Sequence, residues 1–155
     1  MSEIIIRQAE LDELPRIAAL KKQIHDVHVE GRPDLFTPYS SLEAFADHSA
    51  AKGCALLLAE KAGETVGYVM YQRVQRPASP YMKERRFLHV EEFCVDENHQ
   101  RLGIGRMLME ELKELARAAE CPRIELDVWG FNDGAKQFYE TAGMKAYRTF
   151  MEMDV

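Results

Sequence analysis

Gln100-Arg101-Leu102-Gly103-Ile104-Gly105 joins two segments of different periodicity. Before it, Phe87 to Val95 reads as a strand whose apolar positions are Leu88, Val90, Phe93 and Val95. After it, Ile104, Leu108, Leu112, Leu115 and Ala119 recur at helical spacing and predict a helix from near Gly103. Glycines at such a turn let a ligand approach the backbone, because no Cβ intervenes. The unsatisfied N–H groups and the positive dipole end at the helix start favour a bound phosphate. A P-loop would need Gly-Lys-Ser/Thr, and the chain has Gly105-Arg106-Met107. A dinucleotide fingerprint would need a third glycine where Leu108 stands. Two glycines that merely turn a corner are the structural alternative.

Further on, Ile124 to Trp129 reads as another strand, and Asn132 follows where a helix would begin. Asn is a strong N-cap because its side-chain oxygen accepts an orphan backbone N–H. Asn132, Ala135, Lys136 and Tyr139 share one helical face, with Phe138 and Ala142 on another. Gly143 suits a left-handed helix end. Gln100-x-x-Gly103-x-Gly105, followed by Asn132-x-x-Ala135-x-x-Phe138-Tyr139-x-x-x-Gly143, resembles the two cofactor motifs of the GCN5-related N-acetyltransferase (GNAT) family in the family's order. The resemblance implies acetyl-CoA as co-substrate, its pyrophosphate held at Gln100, Arg101, Leu102, Gly103, Ile104, Gly105 and Arg106. It implies that Asn132, Lys136 and Tyr139 border the cofactor, with the Tyr139 hydroxyl near its sulfur. The backbone of Phe93, Cys94 and Val95 would lie beside the thioester. Without the motifs, Tyr139 reads as an aromatic core residue. Three positions depart from the pattern: Gln100 replaces the commoner Arg, Asp96-Glu97 stands where Pro often occurs, and Met144 replaces a frequent aromatic.

Composition sets the frame. A chain of 155 residues, 46% hydrophobic and 30% charged, is expected to form one domain over 1–155, with a core that needs no staples. A net charge of −6 argues against general nucleic-acid binding. Neither a run of membrane-spanning length nor a basic-then-apolar leader is visible, so no membrane partner is expected. Cys54, Cys94 and Cys121 are odd in number and lack zinc-like pairing, which suggests reduced thiols in a cytoplasmic protein.

The remaining chain completes a layered α/β (α+β) reading. Glu3 to Ala9 is a first strand, and Leu14, Ile17, Leu20, Ile24 and Val27 make a helical stripe over Leu11 to Val29. Gly31-Arg32-Pro33-Asp34 breaks that helix; Ser40 or Ser41 caps a second one, ending before Gly53. Cys54 to Glu60 and Thr65 to Gln75 form a hairpin around Lys61-Ala62-Gly63-Glu64. Arg148 to Val155 reads as a last strand, with Tyr147, Thr149, Met151, Met153 and Val155 on one face. The expected architecture is the GNAT fold, a mixed, largely antiparallel sheet flanked by helices; the family often dimerises, so a homodimer is one expectation.

The chemistry narrows the roles. An amine with a pKa of about 10.4 is mostly protonated at neutral pH and needs a base before it attacks a thioester. The oxyanion needs backbone N–H donors, which the resemblance places around Phe93 to Val95, and the leaving thiolate needs an acid, assigned to Tyr139. Leu88-His89-Val90-Glu91-Glu92-Phe93-Cys94-Val95 resembles the acidic strand of the polyamine acetyltransferase branch. Glu91 is the first choice of base and Glu92 the second; both reach one site only if the strand is distorted. A strand end where both carboxylates find solvent or Arg partners such as Arg85 and Arg86 is the structural alternative. His25 and His28 lack a strong third ligand, so no metal is expected, and His89 reads as marginal to the sheet. Trp129 and Phe131 read as walls of the gap between strands, and Cys94 as an inert buried thiol. The reading is acetyl transfer to the amine of a small molecule within a ternary complex. A protein N-terminus or lysine as acceptor, or a non-catalytic CoA sensor, are the alternatives.

Overall fold

The computed structural model describes residues 3–38 and 41–155. Its sheet runs β1 (Ile4–Ala9), β2 (Ala55–Lys61), β3 (Glu64–Arg76), β4 (Arg85–Val95) and β5 (Ile124–Leu126), in that spatial order. The first four strands are antiparallel to their neighbours, and β5 lies parallel to β4. Parallel neighbours need a crossover, and α3 (Ile104–Ala118) supplies it.

Alternation along the strands sorts side chains onto two cores. On one face, Leu57, Val69, Tyr71, Leu88 and Val90 meet Ile104, Leu108, Met109 and Leu112 of α3. Phe138 and Tyr139 of α4 (Asp133–Thr141) pack against that same core. On the other face, Leu56, Leu58, Tyr68, Met70 and Cys94 meet Leu14, Ile17 and Leu20. These belong to a 3₁₀ turn, Leu11–Ile17, and to α1 (Ala18–Gly31), joined by Phe45 of α2 (Leu42–Ala51). Pro15 explains why the expected first helix begins as 3₁₀, since its missing N–H removes one α-type bond. Gly67 lets α3 sit close: an added Cβ would lie 3.1 Å from the Cys94 carbonyl and 3.2 Å from Ile104.

Most expected elements form where their signals lie. Ser41 caps α2 by accepting the Ala44 N–H at 3.3 Å, whereas Ser40 lies outside the described residues. Ala62 and Gly63 both have positive φ, which matches the right-handed twist of the hairpin they close. Two expectations need correction. The strand read over Ile124 to Trp129 is only Ile124–Leu126, because β4 and β5 stop pairing after Val90 and Leu126. The strand read over Arg148 to Val155 is not formed, since among the described residues that segment has no hydrogen-bonded strand beside it.

Candidate active site

The turn before α3 is anchored from beneath. Asp96 accepts from the Asn98 N–H at 3.3 Å, from Gln23 at 3.1 Å, and pairs with His99 Nδ1 at 2.8 Å. Gln23 in turn accepts the Glu97 N–H at 3.2 Å, which ties α1 to the turn. Arg101 and Gly103 have φ of +68° and +79°, and Gly103 is the N-cap, with no side chain covering the helix end. Met107 donates to Gly103 O at 3.0 Å, so the preceding N–H groups of Ile104, Gly105 and Arg106 lack intrahelical acceptors. An added Cβ at Gly103 would meet nothing within 4 Å, the open approach that a pyrophosphate requires. Gln100, Arg101, Leu102 and Arg106 flank Gly103 in the chain, and all four are exposed. Gly105 differs, for an added Cβ there would lie 2.8 Å from the Phe138 ring. Its small size serves the contact between α3 and α4.

Beside this turn the sheet splits. Leu88 N–H donates to Arg123 O on the β5 side, while Asp96 N–H donates to Val66 O on the β3 side. Alternation from Asp96 therefore turns the Val95 and Phe93 N–H groups toward the gap that β5 has left. Asn132 caps α4 beyond the gap by accepting the Ala135 N–H at 3.1 Å, and Lys136 pairs with Asp133 at 3.6 Å. Met144 N–H to Tyr139 O and Gly143 N–H to Glu140 O close the helix, with Gly143 at φ +102°. Tyr139 sits half-buried, its ring 6.0 Å from Phe93 and 5.4 Å from Phe138. Among the described residues its hydroxyl has no hydrogen-bond partner, and burial, with Cys94 adding, pushes its pKa up to about 12. The phenol stays protonated and free to donate.

The acidic pair occupies the opposite face of β4. Met70 pairs with Glu92 and Tyr71 with Val90, so Glu91 is an extra residue in a bulge. The bulge is the distortion that puts adjacent carboxylates on one side of the sheet. Glu92 accepts from Tyr68 Oη at 2.7 Å and from Lys21 Nζ at 2.5 Å, with both ion-pair side chains only 13% exposed. Glu91 accepts from Gln72 at 3.0 Å and Lys52 at 3.2 Å, with His89 Nε2 at 3.6 Å. Both line a cavity of about 220 Å³ with Phe45, His48, Cys54 and Met70. Arg85 and Arg86 pair elsewhere, with Glu125 and Glu84, and the cations that hold the acidic pair are Lys21 and Lys52. Cys94 faces α1, its thiol 3.5 Å from Leu20 O, and burial pushes its pKa up to about 12.

Lys21, Lys52, Tyr68 and Gln72 escaped the reading of the sequence. Lys21 carried a signal, because it interrupts the buried stripe of Ile17, Leu20 and Ile24, where a lone cation needs a partner. Lys52 and Gln72 reach Glu91 only through tertiary packing. At the end of α1, His28 stacks on Phe36 at 5.0 Å and His25 Nε2 lies 2.7 Å from Thr37 O. Phe36 meets Trp129 at 5.3 Å, and Trp129 stacks on Phe131 at 6.2 Å. Arg32 is engaged by Asp34 and Glu152, each within 3 Å.

Comparison with known proteins agrees with this geometry. Residues 21–144 match the model of the Acetyltransferase (GNAT) family. A segment of 67 residues is 30% identical to the glucosamine 6-phosphate N-acetyltransferase of Trypanosoma brucei brucei, covering 43% of this chain and 44% of that protein. The chain thus matches under half the length of that relative. Among solved structures, a tetramutant of the BH1408 protein from Bacillus halodurans superposes with a TM-score of 0.89 at 31% identity, covering 97% of this chain and 99% of that one. The aminoglycoside N-acetyltransferase AAC(6')-Iy in complex with CoA gives 0.77 at 14% identity over 100% and 96%, a likeness of fold. With the split sheet, the uncapped glycine turn and a family match over most of its length, this chain belongs to the acetyltransferase (GNAT) family.

Proposed function

We propose that the chain, acting as one catalytic domain over residues 1–155, transfers acetyl from acetyl-CoA to the amine of a small molecule. The observation that carries this reading is the bulge at Glu91, which sets two carboxylates on one face of β4 while Tyr139 waits beyond the gap on the other. Gly103 and the open N–H groups of the α3 turn hold the pyrophosphate, with Arg101 and Arg106 adding charge. Lys136 and Asn132 border the bound molecule from α4. Acetyl-CoA, when bound, supplies an acyl group activated as a thioester. The Phe93 and Val95 N–H groups donate to the carbonyl oxygen as it gains charge. Glu91 holds the substrate ammonium and removes its proton, oriented by Gln72 and Lys52. Tyr139 gives its proton to the departing sulfur. Amine attack at the acyl carbon forms the amide bond and breaks the thioester bond, so no covalent enzyme intermediate is required.

Carboxylates at the cavity favour a cationic acceptor, so polyamines and amino-acid amines should outperform neutral alcohols and anionic sugars. An acceptor panel followed by free-thiol release tests this. A marked preference for anionic acceptors would overturn the assignment of the acceptor. Saturable stabilisation by CoA in a thermal-shift titration tests the cofactor separately.

A further inference from the structure

The cavity beside the bulge is charge-balanced. Glu91 and Glu92 line it together with Lys21 and Lys52, so two carboxylates meet two ammonium groups, counting His48 and His89 as neutral. The two ion pairs differ in freedom. Lys21 is fixed, its side chain 13% exposed, its Nζ 2.5 Å from Glu92 and 4.3 Å above the Phe45 ring. Lys52 follows the last turn of α2, its side chain 40% exposed, and reaches Glu91 at 3.2 Å on a flexible stem. The remaining wall includes Phe45, Cys54 and Met70, the last two buried. The volume of about 220 Å³ falls short of the roughly 300–1,000 Å³ of sites for drug-sized ligands, so the acceptor is small.

An acceptor ammonium that binds Glu91 takes the place of Lys52. A simple amine or a polyamine would thereby leave the Lys52 cation without its carboxylate, in a cavity with no net negative charge to attract a dication. A zwitterion avoids this loss, because its own carboxylate follows to Lys52 and one ion pair becomes two. We infer that the acceptor is a zwitterionic α-amino acid with a small apolar side chain, its ammonium on Glu91, its carboxylate on Lys52 and its side chain against Phe45 and Met70. This rests on the amine transfer proposed above and narrows its substrate class. The chemistry is unchanged: the ammonium proton passes to Glu91, the amine lone pair forms the amide bond, and the C–S bond breaks as Tyr139 protonates the sulfur.

Leucine and 3-methylbutylamine, the same skeleton without the carboxylate, are the probes. Calorimetry on the CoA-loaded protein at pH 7, where both probes are ammonium ions, should show leucine binding at least about tenfold more tightly, as a charge-assisted bond provides. Thiol release with acetyl-CoA should give a ratio of kcat/KM for leucine over 3-methylbutylamine that falls at least about tenfold in Lys52→Met. Differences in amine basicity, and any general loss of activity, cancel in that comparison. Equal binding of the two probes, a ratio indifferent to Lys52→Met, or putrescine preferred to leucine would overturn the inference while amine acetylation itself stood. No acetylation of any amine would overturn the proposed function, and this inference with it. Should Lys52→Met misfold, the calorimetry on the unmodified protein decides.

Discussion

Glu91 and Glu92 are neighbours in sequence, yet they hold different partners. Glu92 is locked between Tyr68 and Lys21 in a half-buried pair, so its first role is to fasten α1 to β4. Removing it strands the Lys21 cation, and Glu92→Ala should cost about 3 kcal/mol in urea unfolding, the low end for a buried pair. A loss indistinguishable from that of a surface substitution would refute this role. Glu91, at the bulge, has the more exposed cation as partner and is the residue proposed as base. Glu91→Gln should therefore reduce kcat/KM more at neutral pH than at high pH, where free amine is abundant; equal loss throughout would remove it as base, leaving His89 or an ordered water. Tyr139→Phe deletes a hydroxyl that binds no other described residue, so it should lower kcat by roughly 10–10,000-fold with CoA affinity little changed. An unaltered kcat with chemistry rate-limiting would return Tyr139 to the core. The carboxylate pair was legible because acids are costly in an apolar strand, whereas the bulge that aligns them depends on register with β3, which no local signal carries.

At the scale of elements, the two glycines of the turn separate by what surrounds them. Gly103 needs its positive φ and its open side, so Gly103→Val should weaken CoA binding in a thermal-shift titration while adding about 1–2 kcal/mol of backbone strain. Gly105→Val should drive a side chain into Phe138 and destabilise the fold by about 1–3 kcal/mol. If the two variants lose binding and stability in the same proportion, this division fails. The helices were legible from caps and periodicity: Ser41, Asn132 and Gly143 sit where their chemistry requires. The ends of β5 and the final segment were not. Whether an apolar, alternating run becomes a strand depends on a neighbour to bond with, and Asp127 to Trp129 do not pair with β4, while among the described residues 148–155 pair with no strand.

Across the whole molecule, burial of groups that lose protons at high pH sets an alkaline limit. The Cys94 thiol rises from 9.0 to about 12 and the Tyr139 phenol from 10.0 to about 12, in both cases chiefly through burial. The folded chain keeps these protons where the unfolded chain releases them. Stability is therefore unaffected by these groups below about pH 9 and falls as pH rises from about 9 to about 12. Urea midpoints at about pH 8 and about pH 10.5 should show the fall, and Cys94→Ala should flatten it. In the function proposed above, the same two-faced sheet that buries these groups has cofactor and acceptor on opposite sides of β4, meeting at the gap before β5. Direct transfer through that gap is the central claim. The decisive measurement mixes the protein with acetyl-CoA and a preferred amine, then follows free thiol, acetylated amine and protein mass together. The account predicts one acetylated amine for each thiol released, with no acetyl group on the protein at any time. Thiol release without an acetylated amine, or acetyl accumulating on the protein before the amine, would contradict it.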